Sequence, residues 1–217
     1  FHGLAVFAFA GAAMSTLLVY LLGSVGRDGL TPIKITLAGA ALAAFYSSFT
    51  SAVLVANEQT LGTVLFWLAG SVAGAELSQL WSALPLFAIG WLLAAMLARP
   101  ITTLMMGDDV ARGLGQRTTL VKAGAGGIIA LLAGGSVAIA GPISLIGLIV
   151  PHAARVMVGH DQRWVLSYSF FLGSLLLLVA DIGSRFVAQP QEAPVGTVTA
   201  IIGAALFVHI ARRKVAV

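Results

Sequence analysis

The stretches 3–25, 35–56, 77–98, 123–154, 164–180 and 193–211 of this chain each run for 17 or more residues without a single Asp, Glu, Lys or Arg. Crossing the hydrocarbon core of a bilayer takes about 20 mostly apolar helical residues, so each stretch but the shortest reaches or approaches that length on its own. The composition agrees. Of 217 residues, 59% are hydrophobic and 9% charged, against about 25% charged in a soluble domain. A mean hydropathy of +1.00 leaves too little polar surface to cover a water-exposed globule, which argues against a soluble enzyme and against a disordered chain. The class is an integral membrane protein.

The runs are continuous rather than alternating, and Ala, Leu and Gly dominate them. That excludes a barrel pattern and suits close helix packing in lipid. The 123–154 run is long enough for one crossing plus a broken or short second one, and Pro142, Pro151 and several glycines are expected to break it. Irregular backbone at membrane depth persists only where protein or a watery cavity covers it. A further apolar run, 59–75, holds Trp67 and the pair Gly70 and Gly74 between Glu58 and Glu76; it reads as an interfacial or re-entrant helix, with a full span as the lesser alternative. The expected architecture is an all-α polytopic bundle of about seven transmembrane helices, a single transmembrane domain over 1–217. Thr31 followed by Pro32 is a cap residue before a first-position proline, and Asp161 is a plausible N-cap for the helix that carries Trp164.

Charge gives the orientation. Arg27, Lys34, Arg99, Arg112, Arg117, Lys122, Arg155, Arg163, Arg212, Arg213 and Lys214 fall on one side of the alternating spans, eleven of the twelve basic residues. Glu58, Glu76, Asp181, Glu192 and the single Arg185 fall on the other. The positive-inside rule makes the first side cytoplasmic, with the C-terminus inside. The net charge of +4 is spread between apolar runs, so it reads as a topology signal, with no nucleic-acid partner expected. A secretory signal peptide is not expected, since no basic region precedes the first run. The chain starts at Phe1 within an apolar run, and an N-terminal portion is expected to be missing.

Chemical motifs are sparse. There is no H-E-x-x-H and no G-x-x-x-x-G-K-[ST], so neither a zincin site nor a phosphate-cradling loop is expected. Gly124, Gly126 and Gly127 follow no strand and make no dinucleotide fingerprint. His2, His152, His160 and His209 are scattered, and cysteine is absent. No ionisable residue lies securely at mid-membrane, where ion coupling would place one. Asp181 comes nearest, but it follows a full apolar run and precedes Arg185 by four residues, the favourable order for a helical ion pair. The hydroxyl stretch Tyr46, Ser47, Ser48, Thr50 and Ser51 suits either helix packing or a wet pathway. The loop LMMGDDVARGLGQRT at 104–118 suggests a short rigid helix on the membrane surface, capped by Asp108 and ended by Gly113 in the left-handed conformation. The alternative is a solvated connector.

Several segments, in order, carry a family resemblance: ITLAGAALAAFYSSFTS at 35–51, FWLAGSVAG at 66–74, MGDDVARGLG at 106–115, GPISLIGLIVPHAARVMVGHDQR at 141–163, ADIGSR at 180–185 and PVGTVTAIIGAALF at 194–207. Together they span essentially the whole chain, which resembles the permease subunit of FecCD-type ABC importers of iron–siderophore, haem or cobalamin. The resemblance implies the last seven helices of a ten-helix type II ABC importer permease, in the cytoplasmic membrane of a bacterium. It implies a subunit that is not itself an enzyme, with a second permease subunit, two ABC ATPases and an extracytoplasmic binding protein as partners. No cofactor would be bound directly; the partner ATPase would use ATP. The loop at 100–118, through Gly107, Asp108, Asp109, Ala111, Arg112, Leu114 and Gly115, is similar to the family's ATPase-coupling helices. Thr31 and Pro32 match the cytoplasmic gate, and Ser47, Ser48, Thr50 and Ser51 the translocation pathway. Arg185 matches an outer-face residue that pairs with a carboxylate of the binding protein. The rival reading is an ion-coupled secondary transporter or channel with its site at the 123–154 break; an intramembrane enzyme is a third.

Overall fold

A computed structural model describes residues 2–25, 31–56, 61–72, 75–187 and 193–215. Arg27, Glu58 and Glu192 lie outside the described residues. These residues form nine helices: α1 (His2–Ser24), α2 (Pro32–Ala56), α3 (Leu61–Leu68), α4 (Leu77–Leu104), α5 (Asp108–Gly113), α6 (Thr118–Ala140), α7 (Ile146–Val158), α8 (Gln162–Val187) and α9 (Val195–Val215). Five, in α1, α2, α4, α6 and α8, are long and apolar enough to cross a membrane; α7 and the segment Val195–Ala205 of α9 are shorter apolar helices. No strand occurs among the described residues. This is an all-α membrane protein.

Helix α6 is the centre of the bundle, packed between α1 and α4, while α8 bridges α4, α7 and α9. Small residues make this possible. A Cβ on Gly134 would stand 3.0 Å from the Ala12 Cβ, and one on Gly135 would stand 2.9 Å from Leu86. The glycines let α1 and α4 approach opposite sides of α6, as expected where lipid supplies no hydrophobic drive and packing must hold the helices together. The fully or nearly buried residues are accordingly small or β-branched: Ala98, Ala111, Ala154, Ala180, Val165 and Val195. Large side chains such as Phe7, Leu37, Trp81, Leu92, Phe171 and Ile201 face outward, the reverse of a water-soluble core.

Helix directions alternate, which sorts the connections into two ends. One end gathers the C-terminus of α4, all of α5 and the N-terminus of α6. The other gathers the end of α3, the break between α6 and α7, and the start of α9. Helix α3 has eight residues, about 12 Å at 1.5 Å per residue. It is too short to cross, which fits an interfacial element as well as a re-entrant one. Helix α7, with 13 residues, rises roughly 20 Å, and residues 141–145 precede it without helix.

Local signals behave as read at two helix starts. The Thr31 hydroxyl accepts the Lys34 N–H at 3.4 Å, with Pro32 at the first helical position. The Asp161 carboxylate accepts the Arg163 N–H at 3.0 Å and starts α8. Three expectations need correction. Pro151 does not break the run; it lies inside α7, and the break spans residues 141–145, beginning at Gly141 and Pro142. Asp108 is not a cap; Gly107 holds that position, and no side chain caps α5. Gly113 is the last helical residue, while Gly115, at φ +81°, takes the left-handed position. There Gln116 N–H donates to Ala111 and Gly115 N–H to Arg112, the paired bonds of a Schellman turn.

Candidate functional site

The α5 end carries a six-residue helix displayed on a mount of side-chain links. Its single fully buried side chain is Ala111. Three polar links fix its surroundings. The Lys122 ammonium sits 2.6 Å from Asp108 Oδ2. Gln116 Nε2 donates to the Pro100 carbonyl at 2.9 Å, and Gln162 N–H donates to Thr102 Oγ1 at 3.2 Å. A weaker bond, 3.4 Å, joins Arg112 Nε to Thr118 Oγ1. Helix α5 is therefore held against the ends of both α4 and α6, and the start of α8 is held to the same place.

What this mount presents is a mixed surface. Met106 and Leu114 are 69% and 70% exposed, with Met105 and Val110 also open. Asp109 and Arg112 are exposed between them. Apolar residues exposed beside charges at a bundle end, outside the long apolar stretches, have the character of a protein-docking patch. Asp108 differs from its neighbour: its carboxylate turns toward α6 and receives Lys122. Among the loop residues singled out in the sequence, Gly107 and Gly115 supply positive φ, Ala111 the buried contact, and Asp109, Arg112 and Leu114 the exposed surface.

The hydroxyl stretch on α2 does not form one face. Helix α2 packs on α1, and residues 42, 46, 50 and 54 form its less exposed stripe. Thr50 lies on that stripe with Tyr46, whereas Ser47, Ser48 and Ser51 are exposed. The Ser48 hydroxyl donates to the Ala44 carbonyl at 2.9 Å. Thr31 and Lys34 join the start of α2 to the end of α1, since Lys34 Nζ donates to the Val25 carbonyl at 3.3 Å.

At the opposite end, Asp181 and Arg185 pair along α8, with Arg185 Nε donating to Asp181 Oδ2 at 3.0 Å. Asp181 is the more covered partner, and the guanidinium is over half exposed. The same end holds a junction that the sequence reading did not assemble. Ser71 N–H donates to the Ala140 carbonyl at 2.9 Å, and Gly196 N–H donates to the Gly70 carbonyl at 3.0 Å. A Cβ on Gly141 would collide with the Trp67 carbonyl, and one on Gly196 with the Ala69 carbonyl. The turn after α3, the α6–α7 break and the start of α9 thus meet backbone to backbone. The only trace in the sequence is the coincidence of glycine, proline and small residues in three distant segments. Among the described residues no three His, Asp or Glu side chains gather as a metal site requires.

Comparison with known proteins places this architecture. The chain is 54% identical over 206 residues to the probable siderophore transport system permease protein YfiZ of Bacillus subtilis, covering 95% of this chain and 62% of that protein. It is 42% identical to the iron(3+)-hydroxamate import system permease protein FhuB of Bacillus subtilis, covering 98% of this chain and 55% of that one. It is 37% identical to the Fe(3+) dicitrate transport system permease protein FecC of Escherichia coli, over 98% of this chain and 64% of that one. The chain thus spans between about half and two-thirds of these relatives. A solved structure reported as an inward-facing conformation of a metal-chelate type ABC transporter superposes with a TM-score of 0.83 at 25% identity, over 96% of this chain and 65% of that one. The model of the FecCD transport family matches residues 1–213, and with the same helices in the same order, this chain belongs to that family.

Proposed function

We propose that this chain is the membrane-spanning permease part of a binding-protein-dependent ABC importer that moves an iron(III)–siderophore or related metal chelate, such as haem or cobalamin, across the bacterial cytoplasmic membrane. The observation that carries the reading is α5: a rigid helix with exposed Met106, Val110 and Leu114 beside Asp109 and Arg112. A docking element of this kind is useful only if something moves it, and no P-loop in this chain could supply that work. ATP hydrolysis then belongs to two separate ATPase subunits, with α5 and the glycines around it as the coupling element on the cytoplasmic side. The permease works as one half of a dimer, and the C-terminus faces the cytoplasm, in line with the distribution of Lys and Arg.

The remaining assignments follow from position. Thr31 and Pro32, at the start of α2, form the cytoplasmic gate. Ser47, Ser48 and Ser51 line the translocation pathway, with Thr50 at its edge against α1. Arg185, over half exposed and anchored by Asp181, receives a carboxylate of the binding protein. A large amphipathic chelate suits a path of small and hydroxyl side chains, and the energy supply leaves no need for a buried proton or sodium site.

The test is uptake of a ferric siderophore by the permease co-expressed with its ATPase and binding protein. A Walker-motif substitution in the ATPase is expected to abolish uptake, and a proton uncoupler at fixed ATP to leave it. The opposite pattern would overturn this reading in favour of an ion-coupled secondary transporter.

A further inference from the structure

We infer that Lys122 is a positioning residue of the coupling element: its ammonium, held on Asp108, ties α5 to α6 so that movement imposed on α5 is delivered to the centre of the bundle. The inference rests on the proposed role of α5 and adds the route by which force leaves it.

The geometry points to one dominant strut. Asp108 is the first residue of α5, and Lys122 stands one turn inside α6. Their 2.6 Å contact is slightly shorter than the roughly 2.7–2.9 Å usual for a charge-assisted N–H···O hydrogen bond. The other polar link between these helices, Arg112 Nε to Thr118 Oγ1, is long at 3.4 Å. Arg112 also approaches Asp108 Oδ2, but at 3.7 Å and with its side chain 63% exposed. The connector between α5 and α6 turns on Gly115 at φ +81°, and the backbone bonds of that turn run back to Ala111 and Arg112 in α5. Gln116 fastens that connector to α4, not to α6. Without Lys122, then, α5 would keep its grip on α4 through Ala111 and Gln116 and lose its short link to α6.

Burial favours the same role. The Lys122 side chain is 23% exposed and that of Asp108 37%, so salt screens this pair less than a fully exposed one. Because α6 is the helix that both α1 and α4 pack against, a displacement at its start is shared by three helices. Asp108 accordingly looks inward to the permease, and Asp109, Val110 and Leu114 are left for the ATPase.

The experiment uses the assembled transporter, permease with ATPase and binding protein, in proteoliposomes, and reads chelate uptake per ATP hydrolysed. Lys122→Met is expected to keep ATPase co-purification and hydrolysis while lowering that ratio about tenfold, the scale of one lost charge-assisted hydrogen bond. Lys122→Arg should stay within about twofold of wild type, and Asp108→Lys combined with Lys122→Asp should recover most of the ratio. A wild-type ratio in Lys122→Met overturns the inference. Failure of the unmodified permease to bind an ATPase would instead overturn the proposed function. A second readout needs no partner. The chain has no cysteine, so a spin label on Val110→Cys reports α5 alone. Its mobility should rise with Lys122→Met or Lys122→Gln and not with Lys122→Arg; an unchanged spectrum in the first two overturns the strut.

Discussion

The two ends of the bundle solve the same problem, joining broken helices, with opposite materials. At the α5 end the joints are side chains: Lys122 on Asp108, Gln116 on Pro100, Gln162 on Thr102. At the α3 end the joints are backbone: Ser71 to Ala140, Gly196 to Gly70, with Gly141 and Gly196 pressed onto the carbonyls of Trp67 and Ala69. The solvent explains the difference. Residues 68–72 and 140–145 interrupt helices within apolar sequence, where an unsatisfied peptide group costs several kcal/mol and a charge more. The cheapest partner for a freed carbonyl or N–H there is another backbone, and only glycine admits one so closely. Long charged side chains are tolerable at the α5 end, and they leave an adjustable link. A fixed end and a compliant end are what a lever requires.

The largest effect should come from adding one side chain to the backbone junction. Gly196→Val places a branched Cβ on the Ala69 carbonyl and threatens the bond from Gly196 N–H to Gly70. Overpacking of this kind costs about 1–3 kcal/mol, and losing the buried hydrogen bond adds about 1–3 more. Thermal unfolding of the purified protein in detergent is expected to shift down by many degrees, with little folded protein at 37 °C. Gly141→Ala should behave alike, since it adds a left-handed φ of +69° to the same crowding. If either variant keeps the wild-type midpoint, the α3 end is not the rigid one.

The next effect tests the other end by the opposite signature. Asp109→Trp with Arg112→Leu adds bulky apolar groups to an exposed surface. The unfolding midpoint should move little, because surface changes away from the core usually fall within about 0.5 kcal/mol. Uptake per ATP hydrolysed should fall at least about tenfold, by losing a few kcal/mol of fit at the ATPase. Equal loss of stability in this variant and in Gly196→Val would erase the distinction between the two ends.

Arg185 gives a smaller effect and lies at the rigid end, yet it is expected to behave as a partner contact. Arg185→Glu sets two carboxylates four residues apart on α8, where like charges repel by about 0.2–0.5 kcal/mol, and the fold should withstand it. Binding-protein affinity for the reconstituted transporter should weaken, and the loss should be greater at low salt, where exposed charges are least screened. Docking equal to wild type would leave Arg185 as a structural partner of Asp181 only.

The α5 end was far more legible in the sequence than the α3 end, and for a physical reason. Thr31, Pro32 and Asp161 act within one turn of themselves, so their roles follow from neighbours in the chain. The surface helix at 108–113 could be read from the glycines and charges around it, although the cap and the left-handed position shifted to Gly107 and Gly115. Asp108 was misjudged because a partner 14 residues away, on another helix, outbids a local cap. The junction of Gly70, Gly141 and Gly196 joins segments more than 50 residues apart, and glycine has no side chain to advertise what it touches. Only the shortness of the helix in 59–75 and the break near Pro142 were visible, each as an interruption without its partner. Thr50 and Ser47 look alike in sequence; packing of α2 on α1 separates them.

The smallest effect is the sharpest check on what glycine does at each end. Gly113 lies in α5 with nothing within 4 Å of where its Cβ would stand, and its φ is not positive. It has neither the crowding of Gly196 nor the backbone demand of Gly115. Gly113→Ala should therefore gain roughly the helix-propensity difference, about 0.5–1 kcal/mol locally. The gain should appear as slower amide exchange across 108–114, with the global unfolding midpoint unchanged within about a degree. The same single methyl that ruins the α3 end at Gly141 is thus expected to stiffen the α5 end. If α5 works by holding its shape while its mount moves, uptake per ATP in Gly113→Ala should equal or slightly exceed wild type. A fall in that ratio would mean that α5 must bend during the cycle, and the lever would then lie in the helix itself, not in its ties to α4 and α6.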